Sequence, residues 1–269
     1  MNNSSKPNNT ILCSTFHDPE FKLRHHLNSA MTKIQQSFSK KIVCCTPITS
    51  NKAISSLKEL DFHVVLGREL IQVNNYNLAL SAAINETNNP NNQRIFYVDF
   101  DRLIHWSNNY PDELLATIDQ CKEVELLHIG RSERAFNTHP STQKATENIV
   151  NEFGSKVLEL KKPVDLISVC YSFTKNLGKK LLELAHTTYT GFYGAWPVIL
   201  WRNAKTKKYI EVEGQEWETP DRFAEVIEKI GYESWLEEFQ TPKEWEKRVK
   251  LLRECILEIS QITNFEEKN

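Results

Sequence analysis

Short apolar runs alternate with amphipathic stretches over the first hundred residues of the chain. The runs lack the polar–apolar alternation of half-exposed strands, which indicates strands that are covered on both faces. The stretches between them place apolar residues at helical spacing. The pattern therefore predicts strands at 10–15, 41–47, 63–67 and 94–100, separated by helices at 18–38, 50–60 and 75–87.

The second half of the chain has a less regular pattern. It predicts strands at 124–130 and 165–174, strand or hairpin segments at 196–201 and 207–214, helices at 141–153 and 175–186, and two closing helices.

The last helix has a defined predicted start. Thr241, Pro242 and Glu244 form a capping box with proline at the first helical position. The apolar seam that follows repeats at helical spacing and is expected to pack against the sheet, with a partner helix as the alternative. The seam consists of Trp245, Val249, Leu252, Ile256 and Ile259.

Alternation of strands and helices calls for a mainly parallel sheet with right-handed crossovers. No internal repeat, low-complexity linker or composition shift divides the sequence. We therefore expect a single Rossmann-like α/β domain, in which helices flank the sheet and the C-terminal helices pack on it. The expected divisions are a disordered tail at 1–9, the domain at 10–240, and a C-terminal helix and tail at 241–269 packed on the same domain.

Charge and composition narrow the possible partners. The 33 basic residues nearly balance the 35 acidic ones, so the net charge of -2 gives no general reason to bind nucleic acid or an anionic membrane. The six cysteines show no C-x-x-C spacing, and no apolar run approaches the roughly 18 residues of a spanning helix. With no charged-then-apolar leader at its start, the chain is expected to be cytoplasmic and without a transmembrane segment, and a homo-oligomer is an open alternative.

Two carboxylates follow the strand that ends the regular alternation. In extended chain Asp99 and Asp101 would share a face, about 6.5 Å apart along the backbone. Ligands of such sheets bind beyond the carboxyl ends of the strands. Two acids in a half-buried site repel unless a proton or a cation neutralises them, and Mg²⁺ or Mn²⁺ would suit their oxygens. Alternatively, they are solvated turn residues, with Arg102 as a surface ion-pair partner.

The stretch "VDFDRLIHW" after such an alternation resembles the nucleotide-diphospho-sugar transferases, the GT-A class of glycosyltransferases. It is most similar to a bacterial branch whose acidic motif reads D-x-D-R with a Trp shortly after. The similarity continues in "HIGRSERAFNTHPSTQKATE" (128–147), with its G-R-[ST]-E-R-A-F-x-T-H-P pattern, and more faintly in "EGQEWETPDRF" (213–223). It spans about residues 10–223.

The resemblance implies a GT-A-like domain and a donor site. In that class the first strand and the following loop hold the nucleotide base, here Ser14, Thr15 and Phe16. The D-x-D carboxylates hold a divalent metal on the sugar-nucleotide diphosphate, here Asp99 and Asp101. The second Asp is the commoner metal ligand, while the first often faces the ribose or sugar. Arg102 belongs to the same donor site.

A second candidate site lies in the Arg-Thr-His-Pro segment. Arg131 and Arg134 stand between a strand and a predicted helix start, where guanidinium groups and unpaired helix N–H groups can bind an anion. His139 could act as a base or a metal ligand. Alternatively, both arginines pair with Glu133, Glu147 or Asp101 and merely fix the loop.

Sugar transfer with inversion needs a base for the acceptor hydroxyl. The resembling branch carries an acid shortly before a Trp-Pro pair, but here "GFYGAWPVIL" has none before Trp196. Glu216 is the replacement candidate, and the others are Glu218, Asp165 and His186. Aromatic residues that could stack on a sugar, or else belong to the core, are Trp106, Trp196 and Trp217.

These patterns lead to one hypothesis and two alternatives. The leading hypothesis is a metal-dependent glycosyltransferase that moves a sugar from a nucleotide-diphosphate donor to an unknown acceptor. Here the metal, with Arg131 or Arg134, would offset the charge on the leaving diphosphate. The alternatives are a sugar-nucleotide-binding protein that has lost catalysis, and a D-x-D phosphatase or phosphotransferase.

Overall fold

The computed structural model describes residues 9–70, 72–89, 93–185 and 189–266. These residues form a single α/β domain with a seven-stranded, mainly parallel sheet flanked by helices, as the sequence predicts. The predicted tail at 1–9 lies outside the described residues apart from Asn9. The proposed domain boundaries remain a prediction.

The predicted strands are confirmed with shifted ends, apart from the segment at 196–201. The fourth strand is three residues shorter than expected, and the strand expected at 165–174 is confined to its last four residues. The strands are Thr10–Phe16 (β1), Lys40–Cys45 (β2), His63–Leu66 (β3), Arg94–Tyr97 (β4), Leu126–Arg131 (β5), Tyr171–Thr174 (β6) and Lys207–Val212 (β7).

The helices lie between the strands, and the last three follow the final strand. They are Arg24–Ser37 (α1), Asn51–Glu59 (α2), Gln72–Glu86 (α3), Phe100–Asn109 (α4), Pro111–Gln120 (α5), Glu133–Asn137 (α6), Ser141–Val157 (α7), Lys175–Leu184 (α8), Phe192–Asn203 (α9), Ala224–Ile230 (α10), Tyr232–Glu237 (α11) and Pro242–Glu266 (α12). Short 3-10 turns lie at Leu166–Ser168, Thr219–Arg222 and Glu238–Gln240.

The strand order is β3-β2-β1-β4-β6-β5-β7, and β6 runs antiparallel to both of its neighbours. The first four strands are mutually parallel. Their carboxyl ends therefore meet at one edge of the sheet, which is where a ligand site is expected in an open parallel sheet.

The core has a layer on each face of the sheet. On β1, Leu12 joins the layer that includes α1, α2 and α4, whereas Ile11 and Cys13 join the layer that includes α3, α8 and α9. All three side chains are fully buried. This two-sided burial explains why the first strands appear in the sequence as continuous apolar runs.

Two predicted elements are wrong. The stretch 196–201 lies inside α9, with Pro197 within the helix, because a short buried apolar run has the same composition in a strand and in a helix. The first helix begins at Arg24 rather than at Asp18. The carboxylate of Asp18 instead accepts hydrogen bonds from the main-chain N–H groups of Lys22 and Leu23, at 3.0 and 2.9 Å, and so closes a turn before the helix.

The last helix, α12, packs on α7 and α9 rather than on the sheet. The predicted seam is therefore only partly correct: Ile259 is fully buried, but Trp245 and Val249 are 39% and 49% exposed. Close packing on α9 requires a glycine, because a Cβ on Gly194 would lie 2.9 Å from Ile259 Cδ1 and 3.0 Å from Cys255 Cβ. The C-terminal half of α12 is thus fixed against the domain.

Burial on this helix perturbs one carboxyl group. Burial, and secondly the neighbouring carboxylate of Glu254, raises the pKa of Glu258 to about 7. A raised pKa favours the folded state below the unfolded pKa and loses this effect as the pH rises through the folded pKa. We therefore expect Glu258→Gln to be more stable than the parent by about 1 kcal/mol at pH 8, allowing for solvent screening, and to show a smaller advantage at about pH 5. Thermal unfolding at the two pH values measures the difference, and an equal gain at both would contradict it.

Candidate active site

A cavity of about 890 Å³ opens at the carboxyl ends of the parallel strands. The ends of β1 and β2, the start of α3, the start of α4 and one face of α12 contribute to its walls. Charged side chains on its walls are His17, Asp99, Asp101, Arg102, Glu218, Lys247, Lys250 and Glu254. The two carboxylates of the D-x-D motif therefore line this cavity.

Asp99 lies between β4 and α4, at the N-cap position of the helix. Its carboxylate accepts a hydrogen bond from the hydroxyl of Tyr76, which reaches in from α3. Burial, and secondly the charge of Asp101, raises the pKa of Asp99 above its ordinary value. The site therefore holds a carboxylate that a nearby positive charge would stabilise in its ionised form.

Asp101 lies in the first turn of α4 and not on an extended strand. The expectation that the two acids share the face of a strand is wrong, because β4 ends at Tyr97. The turn into the helix nevertheless directs both acids to the same cavity. Asp101 accepts a hydrogen bond at 2.8 Å from Arg222, which also donates to the main-chain oxygen of His17 at 2.6 Å.

Arg102 is not a surface ion-pair partner of the two acids. Its side chain is 10% exposed and donates to the main-chain oxygen of Ser168 at 2.8 Å. Its Nε lies 3.4 Å from Glu218 Oε2, and both residues line the cavity. Burial raises the pKa of Glu218 more than the charge of Arg102 lowers it.

The donor set at the cavity floor fits a hard divalent cation bound together with a diphosphate. Within the described ranges no group of three or more His, Cys, Asp or Glu side chains is placed to hold a metal. Mg²⁺ is commonly held by one or two carboxylates, with phosphate oxygens and water completing its shell. Asp99 and Asp101 supply two such carboxylates, and burial, with the charge of Asp101 second, raises the pKa of Asp99, an effect that a bound cation would offset.

Of the three residues predicted to contact the nucleotide base, two line the cavity and one does not. Thr15 and Phe16, at the end of β1, line the cavity, together with His17 and Thr46. Ser14 is fully buried and donates to the main-chain oxygen of Val98, so it does not contact the cavity. Ser14 therefore joins β1 to β4, and its expected contact with a nucleotide is wrong.

Arg131 does not form an anion site. Its side chain is completely buried and donates to Asp165 through Nε at 2.7 Å and Nη2 at 2.8 Å. Nη2 also lies 2.7 Å from Glu147. The guanidinium is thus enclosed by two carboxylates of its own chain. This is the alternative in which the arginine pairs with acids and fixes the loop, with Asp165 as an additional partner.

Arg134 and Glu216 belong to a surface network outside the cavity. Arg134 binds Glu213 and lies 2.6 Å from Glu216. Glu216 in turn accepts from Nε2 of His105 at 3.0 Å, and Asp221 lies 2.8 Å from the other ring nitrogen. Burial opposes the charged imidazole, but the two carboxylates raise the pKa of His105 above its ordinary value.

The other predicted catalytic groups are also enclosed. His139 is 3% exposed, and its Nδ1 lies 3.2 Å from the main-chain oxygen of Ala135. Burial, and secondly Arg131, lowers the pKa of His139 well below its ordinary value. Asp165 is committed to Arg131, and His186 lies outside the described residues. Of the replacement bases, Glu218 alone among those described lines the cavity.

The aromatic candidates belong to the core. Trp106 and Trp196 are at most 1% exposed, and Trp217 stacks on Trp235 with ring centroids 5.1 Å apart. Trp217 also borders a side cavity of about 220 Å³ next to the main one. None of the three presents an open face as a sugar platform.

Several cavity residues escaped the sequence analysis. Tyr76 and Glu254 line the cavity, and Arg222 binds Asp101 without itself lining it; no local motif marks any of the three. Glu254 sits between two seam positions of α12, where a carboxylate would ordinarily be solvated. Only the tertiary packing of α12 on α9 reveals that it faces the cavity.

Comparison with known proteins gives a fold-level similarity only. No protein-family model and no curated protein matches this chain. Solved structures similar to it include residues 1–349 of S. aureus TarS, at 13% identity and a TM-score of 0.43 over 92% of this chain and 70% of that chain. A further S. aureus TarS structure has 14% identity and a TM-score of 0.36 over 93% and 43% of the two chains. At these TM-scores neither structure assigns a role to any residue here.

Proposed function

We propose that this protein is a glycosyltransferase that moves a sugar from a nucleotide-diphosphate donor to the hydroxyl group of an acceptor. One observation carries the proposal. Asp99 and Asp101 line the large cavity at the carboxyl ends of β1, β2 and β4, where open parallel sheets bind ligands. The D-x-D-R resemblance selects a sugar nucleotide among the phosphate-bearing ligands that would suit this position.

The cavity has room for such a donor. A volume of about 890 Å³ is within the range of ligand clefts in proteins. We place the base near Thr15, His17 and Thr46, at the ends of β1 and β2. The diphosphate then lies toward the start of α4, beside Asp99 and Asp101.

In this proposal Asp101, with Asp99, holds Mg²⁺ or Mn²⁺. Bound there, the ion would offset negative charge on the leaving diphosphate. The chain's own residues prepare the site for it: Tyr76 fixes the carboxylate of Asp99, and Arg102 is held by the main-chain oxygen of Ser168. Arg222 must release Asp101 when the ion binds.

A nucleotide screen tests this function. Thermal unfolding of the wild-type protein should be measured with uridine, guanosine, cytidine, adenosine and thymidine diphosphate sugars, each with and without Mn²⁺. One base is expected to raise the melting temperature, and only when Mn²⁺ is present. No shift with any nucleotide would contradict the proposal, whereas binding without turnover under any condition would favour a sugar-nucleotide-binding protein.

A further inference from the structure

We propose that Glu254 of α12 is the general base that takes the proton from the acceptor hydroxyl. This inference rests on the proposed function and adds a catalytic residue to it. The reaction requires a proton acceptor, since a neutral hydroxyl is a poor nucleophile. The structure offers few carboxylates that could perform this role.

Glu254 lines the cavity from α12, an element separate from β4 and α4, which carry the two D-x-D acids. Its carboxylate accepts hydrogen bonds from the main-chain N–H of Thr190, at 3.1 Å, and from the hydroxyl of the same residue. Both contacts involve Oε2, so Oε1 keeps its capacity to accept a proton. Neither donor is charged, and the carboxylate is therefore oriented without being neutralised.

The other cavity carboxylates are committed elsewhere. Asp101 is paired with Arg222, and Glu218 lies against Arg102. Asp99 is bound by Tyr76 on the same wall as Asp101, where the diphosphate and its cation are proposed to lie. Among the residues described, Glu254 is the cavity carboxylate whose hydrogen-bond donors are neutral and which belongs to a different element from Asp99 and Asp101.

The position of Glu254 is also fixed by the packing of α12 on α9. Cys255 and Ile259, its neighbours on the buried side of α12, are fully buried against α9, where Gly194 permits close approach. A base must be placed within hydrogen-bond reach of the proton that it removes. Packing of this kind holds it there more firmly than a loop would.

The proposed step is an in-line displacement. The acceptor oxygen forms a bond to the anomeric carbon, while the bond from that carbon to the diphosphate oxygen breaks and its electron pair leaves with the diphosphate. The hydroxyl proton passes to Glu254, which becomes neutral and later returns the proton to solvent. Attack from the side opposite the diphosphate inverts the anomeric centre.

The test uses the full chain, Mn²⁺ and the sugar nucleotide selected by the thermal screen, with water as the acceptor. Glu254→Gln retains a carbonyl oxygen for Thr190 and removes the basic group. Release of nucleoside diphosphate should fall by on the order of 100-fold, with the KM for the donor unchanged. The matched control is Glu246→Gln, an exposed glutamate two turns earlier on the same helix, which should behave as wild type.

Two further measurements separate a base from a structural residue. The ratio of the wild-type rate to the Glu254→Gln rate should fall toward acid pH, because protonation removes the base from the wild type alone, whereas protonation of Asp99 affects both proteins. Azide has no proton to lose, so Glu254→Ala should form the glycosyl azide from the donor at a rate close to that of the wild type.

The outcomes distinguish this inference from the proposed function. If no sugar nucleotide binds the wild type, both fail. If the donor binds but Glu254→Gln matches Glu246→Gln, or is slow with neither a changed pH profile nor turnover with azide, Glu254 is not the base and the proposed function stands. Donor binding without any release to water or azide by the wild type would also overturn the assignment.

Discussion

Replacing Arg131 by Met is expected to lower the free energy of unfolding by about 3–5 kcal/mol, the usual cost of removing one partner from a buried ion pair. The side chain of Arg131 is completely buried between Asp165 and Glu147. Burial alone would raise the pKa of Asp165, but Arg131 holds it well below its ordinary value. Without the guanidinium, two buried carboxylates would have to take up protons or remain unpaired.

Urea unfolding of the variant measures this cost, and Arg134→Met is the matched control. The side chain of Arg134 is half exposed, so its ion pairs with Glu213 and Glu216 are screened by solvent. Its replacement is expected to cost no more than about 1 kcal/mol. If Arg131→Met were as stable as the wild type but no longer bound the donor, Arg131 would be a ligand-binding residue after all.

Asp101→Ala is expected to weaken Mn²⁺-dependent donor binding by on the order of 100-fold. The proposed function makes this carboxylate a direct ligand of the cation. Its removal also frees Arg222, so binding of the nucleotide without metal should change far less. Calorimetric titration of the donor into each variant, with and without Mn²⁺, measures both effects.

The matched control for Asp101→Ala is Asp112→Ala. Asp112 likewise lies in the first turn of a helix, α5, but it is exposed and does not line the cavity. Its replacement should leave donor binding unchanged. Equal losses in the two variants would show that the effect is one of general charge, and an unchanged affinity in Asp101→Ala would remove Asp101 from the metal site.

Hydrophobic patterning predicts those elements whose buried residues are adjacent or regularly spaced along the chain. Three of the first four strands, β1, β2 and β4, were predictable because each is a short and almost fully buried apolar run, whereas β3 lies at the edge of the sheet and is partly exposed. The helix α4 was not predictable, because Asp99, which occupies the N-cap position of that helix, was interpreted as part of an acidic motif on an extended strand. As a result the position of the D-x-D motif was predicted correctly, but its backbone conformation was not.

The site itself was predictable only in part. Asp99 and Asp101 follow an apolar strand directly, and strand order then places them at the ligand edge of the sheet. Their partners Tyr76 and Arg222 are 23 and 121 residues away along the chain. Arg131 is the opposite case, a residue that was wrongly predicted to bind a ligand. An arginine beside a helix start has the same local sequence pattern whether its guanidinium faces a ligand or, as here, an internal carboxylate.

The contact between Arg222 and Asp101 has a consequence for the order of binding. A cation arriving alone would have to displace a guanidinium that is also anchored on His17, and would gain one carboxylate in exchange. A donor that brings its own phosphate oxygens supplies the missing ligands and gives the freed guanidinium an anion to face. Metal and sugar nucleotide should therefore enter as one complex, and free Mn²⁺ should titrate the protein only weakly.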